Sequence, residues 1–363
     1  MRDLNAVRGT NYIPSYAPDA TVAWMEFDAE QIAFELTLAR SAGFNSVRAW
    51  LSSEAYFANP AEFLRNFDQF LQLCRKTSLT AMPILFDSCG VERREAAPLL
   101  RRACELFEQF RRDTSYPEDV RKEWLSKLDG YIRRVAPHVR CEASGSATSL
   151  VWETWRANPG YSKLSADSRQ RYHAYVDTIV ESHRGDGRIL AWDVMNEPWV
   201  TEIFLGNYDD PLPGQFARYF CEYILEKRCG VPITVGGGTL DRSLRLADCV
   251  DIISFHCYEP ADKLQEDLHR AYTVCASYSK PVLLTECLAN SALDDVESAT
   301  DEGQVRVYER DIPVLVGAQI GWFQFCLMVG RAPFSYTGLF YANGVQRPAA
   351  TLLAGSISPQ RKA

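Results

Sequence analysis

Eight short strand-like segments, most of them almost continuously apolar, recur along the 363 residues of this chain, separated by helix-like or loop-like stretches. These strand-like segments are AVRGTNYI (6–13), SVRAWL (46–51), LTAMPILF (79–86), ILAWDVMN (189–196), PITVGG (232–237), DIISFHCY (251–258), PVLLTE (281–286) and IGWFQFCLM (320–328). Parallel strands that are covered on both faces have this composition, whereas half-exposed strands alternate between apolar and polar residues. The pattern therefore predicts a parallel sheet with helices outside it.

The segments between these strands show helical periodicity. DAEQIAFELTLARSAG begins at Asp28 and ends at Gly43, which are typical start and stop residues of a helix. PAEFLRNFDQFLQLCRK (60–76), ADSRQRYHAYVDTIVESH (166–183) and GQFARYFCEYILEKRCG (214–230) have the same character. Eight strands alternating with helices predict an α/β fold, a single catalytic (β/α)8 TIM barrel over residues 1–363.

One interval between strands is much longer than the others. Positions 87 and 197, at the ends of the third and fourth strands, lie 110 residues apart, whereas a barrel uses roughly 30 residues per βα unit. We assign the excess to a largely helical insertion at 88–165. Because the insertion follows a strand, we expect it on the catalytic face as a lid or a cleft wall; an excursion along the side of the barrel is the alternative.

Charge and composition exclude several classes of partner. The net charge of -8 disfavours nucleic acid, because phosphate binding needs a basic face. The apolar segments are too short to span a bilayer, and the N-terminal residues do not resemble a signal peptide. None of the 11 cysteines forms a C-x-x-C pair, which favours reduced thiols. We therefore expect a cytoplasmic protein, or a secreted one if a leader is missing; the oligomeric state stays open.

The predicted ends of the strands are rich in polar and aromatic residues. Active sites of (β/α)8 barrels lie at the C-terminal ends of the strands, so these residues are the candidates for binding and catalysis. They are Asn11, Arg48, Trp50, Asp87, Asn196, Glu197, Trp199, His256, Tyr258, Glu286 and Trp322.

Glu197 and Glu286 end the fourth and seventh strands, and from there their side chains can converge over the barrel axis. Two facing carboxyl groups suit the cleavage of a glycosidic bond: one donates a proton to the leaving oxygen, and the other meets the cationic sugar carbon. A separation of about 5–5.5 Å gives retention of configuration and roughly 6.5–9.5 Å gives inversion. The sequence leaves this distance open.

Five motifs at matching spacings resemble those of the clan A retaining glycoside hydrolases, in particular glycoside hydrolase family 5, the cellulase-like family. They are VRAW (47–50), NEP (196–198), SFHCYEP (254–260), LLTE (283–286) and GWFQF (321–325). The resemblance covers the chain outside 88–165. It implies a carbohydrate partner, a β-linked oligosaccharide or glycoside, cleaved by double displacement without a cofactor.

The resemblance also implies roles for the residues in these motifs. Glu197 would be the general acid/base and Glu286 the nucleophile. Asn196 would hold the sugar 2-hydroxyl, and Arg48 would lie beneath Glu286. A fixed cation at that place would lower the pKa of Glu286 and keep it ionised, whereas Glu197 needs a raised pKa to act as an acid.

The remaining candidates receive supporting roles. Tyr258 would donate a hydrogen bond to the nucleophile, His256 would orient the acid/base or the sugar, and Trp322 would form the platform under the sugar ring. Trp50, Trp199 and Asn11 are further candidates for substrate contact or support. Where the family has a histidine near the end of the third strand, this chain has Asp87. A carboxylate there would bind sugar hydroxyls, which leaves the sugar itself open.

Other motifs and functions compete with this interpretation of the sequence. GGGT (236–239) is interpreted as a tight turn, because it lacks the lysine and the spacing of a phosphate-binding loop. The five histidines show no paired spacing, so no metal is expected. A transglycosylase would use the same residues, and a non-catalytic carbohydrate-binding barrel is a third possibility. Linkage and exo or endo action stay open.

Overall fold

The computed structural model describes residues 3–89, 155–199, 211–289, 300–332 and 335–357, together with isolated positions between 105 and 125. Nine parallel strand segments in these residues form one sheet. They are β1 Arg8–Tyr12, β2 Ser46–Trp50, β3 Thr80–Asp87, β4 Trp192–Asn196, β5 Ile233–Thr234, β6 Gly236–Gly237, β7 Ile253–His256, β8 Val282–Cys287 and β9 Gly321–Gln324. Each of the eight predicted strand segments overlaps one of these strands or, for 232–237, two; β3 and β8 extend one residue beyond the predicted segments.

The order of the strands shows how the sheet closes. It runs β5-β4-β3-β2-β1-β9-β8-β7-β6. β5 pairs with β4 and β6 pairs with β7, and these two end segments are separated only by Val235. They are two halves of one strand, so the ring contains eight strands. This confirms the predicted (β/α)8 barrel.

Helices surround the ring. They are α1 Ala20–Met25, α2 Ala29–Ser41, α3 Ser53–Ala58, α4 Pro60–Lys76, α5 Ala166–Arg169, α6 His173–Ser182, α7 Leu212–Lys227, α8 Leu240–Leu244, α9 Ala261–Ser277, α10 Asp301–Gly317 and α11 Pro348–Ile357. Side-chain caps fix several starts: Asp28 caps α2, and Asn59 caps α4, whose first residue is a proline. The helix predicted over 166–183 is divided into α5 and α6 by a 3-10 turn, Gln170–Tyr172.

The barrel interior is apolar at its lower end. Met82, Leu190, Ile252, Leu283 and Phe323 are buried in one cluster there. The cluster also contains Leu4 and Val7, from the segment that precedes β1. Because these side chains fill the lower interior, the charged side chains that point into the barrel lie in the upper interior, towards the carboxyl ends of the strands.

Most of the predicted insertion at 88–165 lies outside the described residues. The predicted lid or cleft wall falls on these residues. Its last residues are described and return to the mouth of the barrel. There the backbones of Asp87 and Asn158 exchange two hydrogen bonds, of 2.6 and 2.5 Å. This end of the insertion therefore lies beside the strand ends.

Two further properties concern the class of protein. In the part of the chain that the structure describes, no helix has the length and apolar character needed to cross a membrane. The nine cysteines within the described residues are all free thiols.

A short second sheet, β10 Met328–Val329 with β11 Phe340–Tyr341, follows β9.

Candidate active site

Arg48 is the centre of the polar upper interior. Its Nη1 donates to Glu286 Oε1 at 2.6 Å and to Asn11 Oδ1 at 2.8 Å. Its Nη2 donates to Asn196 Oδ1 at 2.7 Å, and both Nη2 and Nε donate to Asp193 Oδ2 at 2.7 and 2.9 Å. The guanidinium is completely buried. Two carboxylates and two amides compensate its desolvation, so β1, β2, β4 and β8 are tied together at one point.

Asp193 and Gly236 belong to this centre, although the sequence reasoning missed both. Asp193 Oδ1 accepts from the backbone nitrogen of Gly236 at 3.0 Å. A Cβ at position 236 would lie 2.6 Å from Arg48 Nη2, so only glycine fits. Gly236 and Gly237 form strand β6, within the strand segment predicted at 232–237. The chain bends only at Gly238 and Thr239, so the tight turn predicted for GGGT (236–239) is limited to its second half. Glycine inside a strand signals the close approach of another group, and this signal was available.

Glu286 is held from several sides. Arg48 donates to Oε1, and the Tyr258 hydroxyl donates to Oε2 in a short hydrogen bond. His256 Nδ1 lies 3.3 Å from Oε2. Asn11, below, donates to the carbonyl oxygen of Thr285 at 2.9 Å and so holds β8 as well as Arg48. The predicted positions of Arg48 beneath Glu286 and of Tyr258 beside it agree with this geometry.

Glu197 faces Glu286 across the mouth of the barrel. His256 Nδ1 lies 2.6 Å from Glu197 Oε1, and Cys89 Sγ lies 3.5 Å from Oε2. The Glu197 side chain is 18% exposed and that of Glu286 is 6% exposed, so the first is the more accessible. Glu197 has a φ of 41°, in the left-handed region that non-glycine residues rarely adopt. Strain of this kind is common at functional positions.

Burial raises the pKa of both carboxyl groups. For Glu197 it outweighs the opposing effects of Cys89, Arg48 and Arg242. For Glu286 it outweighs His256, Arg48 and Tyr258, and the nearby Glu197 raises the pKa further. Arg48 lowers the pKa of Glu286, as expected, but the desolvation of the carboxyl group exceeds this effect, so the pKa of Glu286 is raised overall.

Hydrogen-bond donors nevertheless distinguish the two carboxyl groups. Glu286 accepts from the fixed cation of Arg48 and from Tyr258, whereas Glu197 has contacts only with a neutral ring and a thiol among these side chains. A donor stabilises the ionised form of a carboxyl group. When the pair holds one proton, Glu197 is the group that keeps it.

His256 is neutral at this site. Burial lowers its pKa to about 4, assisted by Arg48 and opposed by Glu286 and Asp193. Its Nδ1 faces the carboxylates, while Nε2 is buried without a hydrogen-bond partner among the described residues. We therefore assign the single ring proton to Nδ1, from which it is donated to Glu197 Oε1.

Asp87 contacts protein groups through both of its oxygens. Oδ1 accepts from the backbone nitrogen of Cys89 at 2.8 Å and from Asn196 Nδ2 at 3.4 Å, and Oδ2 accepts from Trp155 Nε1 at 3.0 Å. Burial raises its pKa to about 6. Asp87 thus holds Asn196 from the side opposite Arg48, instead of presenting a free carboxylate for sugar hydroxyls as predicted.

Trp322 does not lie at the mouth of the barrel. It is fully buried in the core between strands and helices, and the Arg8 guanidinium lies 5.4 Å from its ring centroid. Phe325 occupies the mouth instead, edge-on to Tyr258 at 6.2 Å and to Trp50 at 6.3 Å. Trp322 therefore cannot form the predicted platform under the sugar ring. Its side chain points outward from the barrel, whereas those of Phe323 and Phe325 point inward.

Of the other two candidate tryptophans, Trp50 lies at the mouth of the barrel and Trp199 lies in the core. Trp50 lies at the mouth, edge-on to Trp155 at 5.5 Å, with Arg48 5.2 Å from its ring centroid. Trp199 is buried against α7, where a Cβ on Gly214 would lie 2.4 Å from its ring. The structure therefore does not bring Trp199 to the carboxylates, although it follows Glu197 by only two residues.

Glu197, His256 and Glu286 each offer a ligand atom, and these three atoms lie within 4.8 Å of one another. One histidine and two carboxylates could bind a divalent cation. However, Arg48 and Tyr258 already donate to the two oxygens of Glu286. The guanidinium would also repel a second cation. The arrangement is better suited to proton transfer and nucleophilic attack.

Several glycoside hydrolases of solved structure share this fold. An exo-β-1,4-mannosidase from Opitutaceae bacterium strain TAV5 has a TM-score of 0.58 at 16% identity, over 96% of this chain and 58% of that chain. A GH5_18 variant from Streptomyces cattleya in complex with Manβ1-4GlcNAc has a TM-score of 0.58 at 13% identity, over 98% and 80%. For an endo-1,4-β-mannanase from Rhizomucor miehei the values are 0.52 and 13%, over 97% and 93%.

These similarities establish the barrel fold and include the family that the sequence motifs resemble. This chain spans less than two thirds of the length of the mannosidase. No protein-family model matches the chain, and no curated protein matches it.

Proposed function

We propose that this chain is a retaining β-glycoside hydrolase of the family 5 type, with Glu197 as general acid/base and Glu286 as nucleophile. The observation that carries the proposal is the pair of facing carboxyl groups, which have oxygens within 4.8 Å of each other. In retaining enzymes the two carboxyl groups are about 5–5.5 Å apart, which leaves no room for a water molecule between nucleophile and sugar. The short separation therefore supports direct attack by Glu286.

In the first step, Glu286 attacks the anomeric carbon while the glycosidic bond breaks. The proton on Glu197 passes to the leaving oxygen, and a covalent glycosyl-enzyme forms. Arg48 and Tyr258 keep Glu286 ionised and oriented before the attack. Asn196, fixed between Arg48 and Asp87, is positioned to hold a sugar hydroxyl.

In the second step, Glu197 takes a proton from water, and the oxygen of this water attacks the anomeric carbon. The bond to Glu286 breaks, and the product has the original configuration. Esterification removes the charge of Glu286 during this step. Without this neighbouring negative charge, ionisation of Glu197 is easier, so Glu197 can be a carboxylate when it has to act as a base.

The substrate class is a β-linked saccharide or glycoside. β-Mannosides and β-glucosides are the first candidates, because the related structures include a mannosidase, a mannanase and a β-glucosidase. A transglycosylase would use the same first step with a sugar acceptor in place of water. A non-catalytic binder would gain nothing from two buried carboxyl groups that cost desolvation energy.

The proposal predicts hydrolysis with retention. The purified protein is incubated with 4-nitrophenyl β-mannoside, β-glucoside, β-xyloside and β-galactoside, and the first-formed anomer is identified by proton NMR. We expect the β-anomer to appear first on the preferred substrate. An α-anomer would contradict direct attack by Glu286. Transfer products in the presence of an added acceptor sugar would identify a transglycosylase.

The aromatic residue at the mouth gives a second prediction. Phe325→Leu keeps the apolar volume but removes the flat face, so we expect kcat/KM to fall roughly 3- to 10-fold. Trp322→Phe should leave kcat/KM within about twofold and lower the melting temperature, because Trp322 is core. Steady-state kinetics and thermal unfolding of both variants test this. The reverse result would restore Trp322 as the platform.

A further inference from the structure

Cys89 lies beside the acid/base carboxyl, two residues after the end of β3. Its backbone nitrogen donates to Asp87 Oδ1 at 2.8 Å, which fixes its position. Its Sγ lies 3.5 Å from Glu197 Oε2 and 3.4 Å from the carbonyl oxygen of Glu197. Among the cysteines that the structure describes, Cys89 alone is not fully buried. Cys89 thus lies in the wall of the mouth, with its buried thiol against Glu197.

The two oxygens of Glu197 have different neighbours. Oε1 accepts from His256 Nδ1 at 2.6 Å, and Oε2 faces Cys89. A neutral carboxyl group carries one proton on one oxygen. Because Oε1 is occupied as the acceptor of the neutral His256 ring, the proton of Glu197 belongs on Oε2. Cys89 is therefore next to the oxygen from which the proton leaves.

The environment of Cys89 makes its thiol a donor and not a nucleophile. Burial raises the pKa of the thiol well above its ordinary value, and the negative charges of Asp87 and Glu197 raise it further. The thiol keeps its proton, and a weak S–H donor can stabilise a neighbouring carboxylate. Once Glu197 has released its proton, Oε2 carries charge and can accept from Cys89.

We propose that Cys89 is a positioning residue for the acid/base: it donates its S–H hydrogen bond to Oε2 of Glu197 and presents this oxygen for proton transfer. The inference rests on the proposed function, because it names Glu197 as the acid/base. In this arrangement His256 holds one oxygen as an acceptor, while Cys89 stabilises the other oxygen after the proton has left.

Other charged and titratable groups also face Glu197 and affect its titration. They are Arg48 from β2, Asp87 from β3, Arg242 from α8, His256 from β7, Tyr258 after β7 and Glu286 from β8. These residues stay in place when Cys89 is replaced, but Asp87 and Asn196 lose their contacts with the thiol. The comparison of an alanine with a serine variant, which keeps a donor, therefore assigns a change in the titration of Glu197 to the hydrogen bond.

The test measures the pKa of Glu197 directly, by carbon-13 NMR of protein labelled at the glutamate carboxyl, with Glu197→Gln to assign the signal. A donor to a carboxylate lowers its pKa, so Cys89→Ala should raise the pKa of Glu197 by roughly 0.3 to 1 unit. Cys89→Ser keeps a donor and should lie closer to the wild type. Cys275→Ala, in α9 and away from the site, should cause no shift.

Activity provides the second measurement. The alkaline limb of the kcat/KM profile reports the free acid, so it should move to higher pH in Cys89→Ala by the same amount. An unchanged pKa of Glu197 in Cys89→Ala, or equal shifts in the alanine and serine variants, would overturn the inference. If no glycoside is cleaved but the NMR shift appears, the proposed function fails and the hydrogen bond stands. Cleavage without a shift refutes only the role of Cys89.

Discussion

Replacing Glu286 with glutamine is expected to lower kcat on the best aryl glycoside by at least about 10⁴-fold, while the Kd for the sugar changes little. Loss of a nucleophile removes the covalent pathway and not only one hydrogen bond. Steady-state kinetics give the loss of rate, and isothermal titration calorimetry with the product sugar gives the affinity.

The matched control is Glu197→Gln, with leaving groups of different acidity. A dinitrophenyl group leaves without protonation, so this variant should form the glycosyl-enzyme at a nearly normal rate and then stall. On a methyl glycoside it should be as inactive as Glu286→Gln. If both variants slowed the formation of the glycosyl-enzyme from the dinitrophenyl glycoside equally, the division of roles between the two glutamates would be contradicted.

Replacing Arg48 with methionine is expected to lower the free energy of unfolding by about 3–5 kcal/mol, because it leaves Asp193 and Glu286 as buried charges without their cation. Urea unfolding followed by circular dichroism measures the loss. Activity should fall as well, since Glu286 loses the donor that favours its ionised form. Arg48 is therefore predicted to support both folding and chemistry.

Two further variants test whether uncompensated buried charges cause the loss of stability in Arg48→Met. Arg218→Met removes a partly exposed arginine paired with Asp248 and should cost less than about 1 kcal/mol. In the double variant Arg48→Met/Asp193→Leu the loss should be smaller than the sum of the single losses, because neither residue then leaves the other uncompensated. Additive losses would show that the pair is not coupled.

The strands could be predicted from the sequence because most of their residues are buried on both faces, so that apolar residues predominate in most of them. The same property hides which face a side chain occupies. In GWFQF, Trp322 and Phe325 are both aromatic, but they are three residues apart. Because successive side chains of a strand point to opposite faces, these two point to opposite faces. Gln324 is the one polar side chain in this segment, and it is as buried as Trp322, so the sequence does not show which face points into the barrel.

The sequence also does not show which side chains from distant strands form hydrogen bonds with each other. Asp193 stands between two apolar residues in β4, and nothing local indicates that it neutralises Arg48, 145 positions away. Cys89 resembles any small core residue in the sequence, yet it contacts the carboxyl of Glu197. Such pairings depend on the register around the closed ring and on the return of the chain at Trp155 and Asn158.

The sequence by itself determined the class of fold and indicated that Glu197 and Glu286 lie at the ends of strands, because periodicity along the chain and polar residues at the strand ends are local properties. The tertiary structure decided which donors surround each carboxyl group, which oxygen of Glu197 faces which neighbour, and which aromatic residue lies at the mouth. These features depend on distances between strands that are far apart in the chain. Only closing the barrel brings Arg48, Asp193 and Glu286 within hydrogen-bonding reach, and only their burial makes that contact decisive.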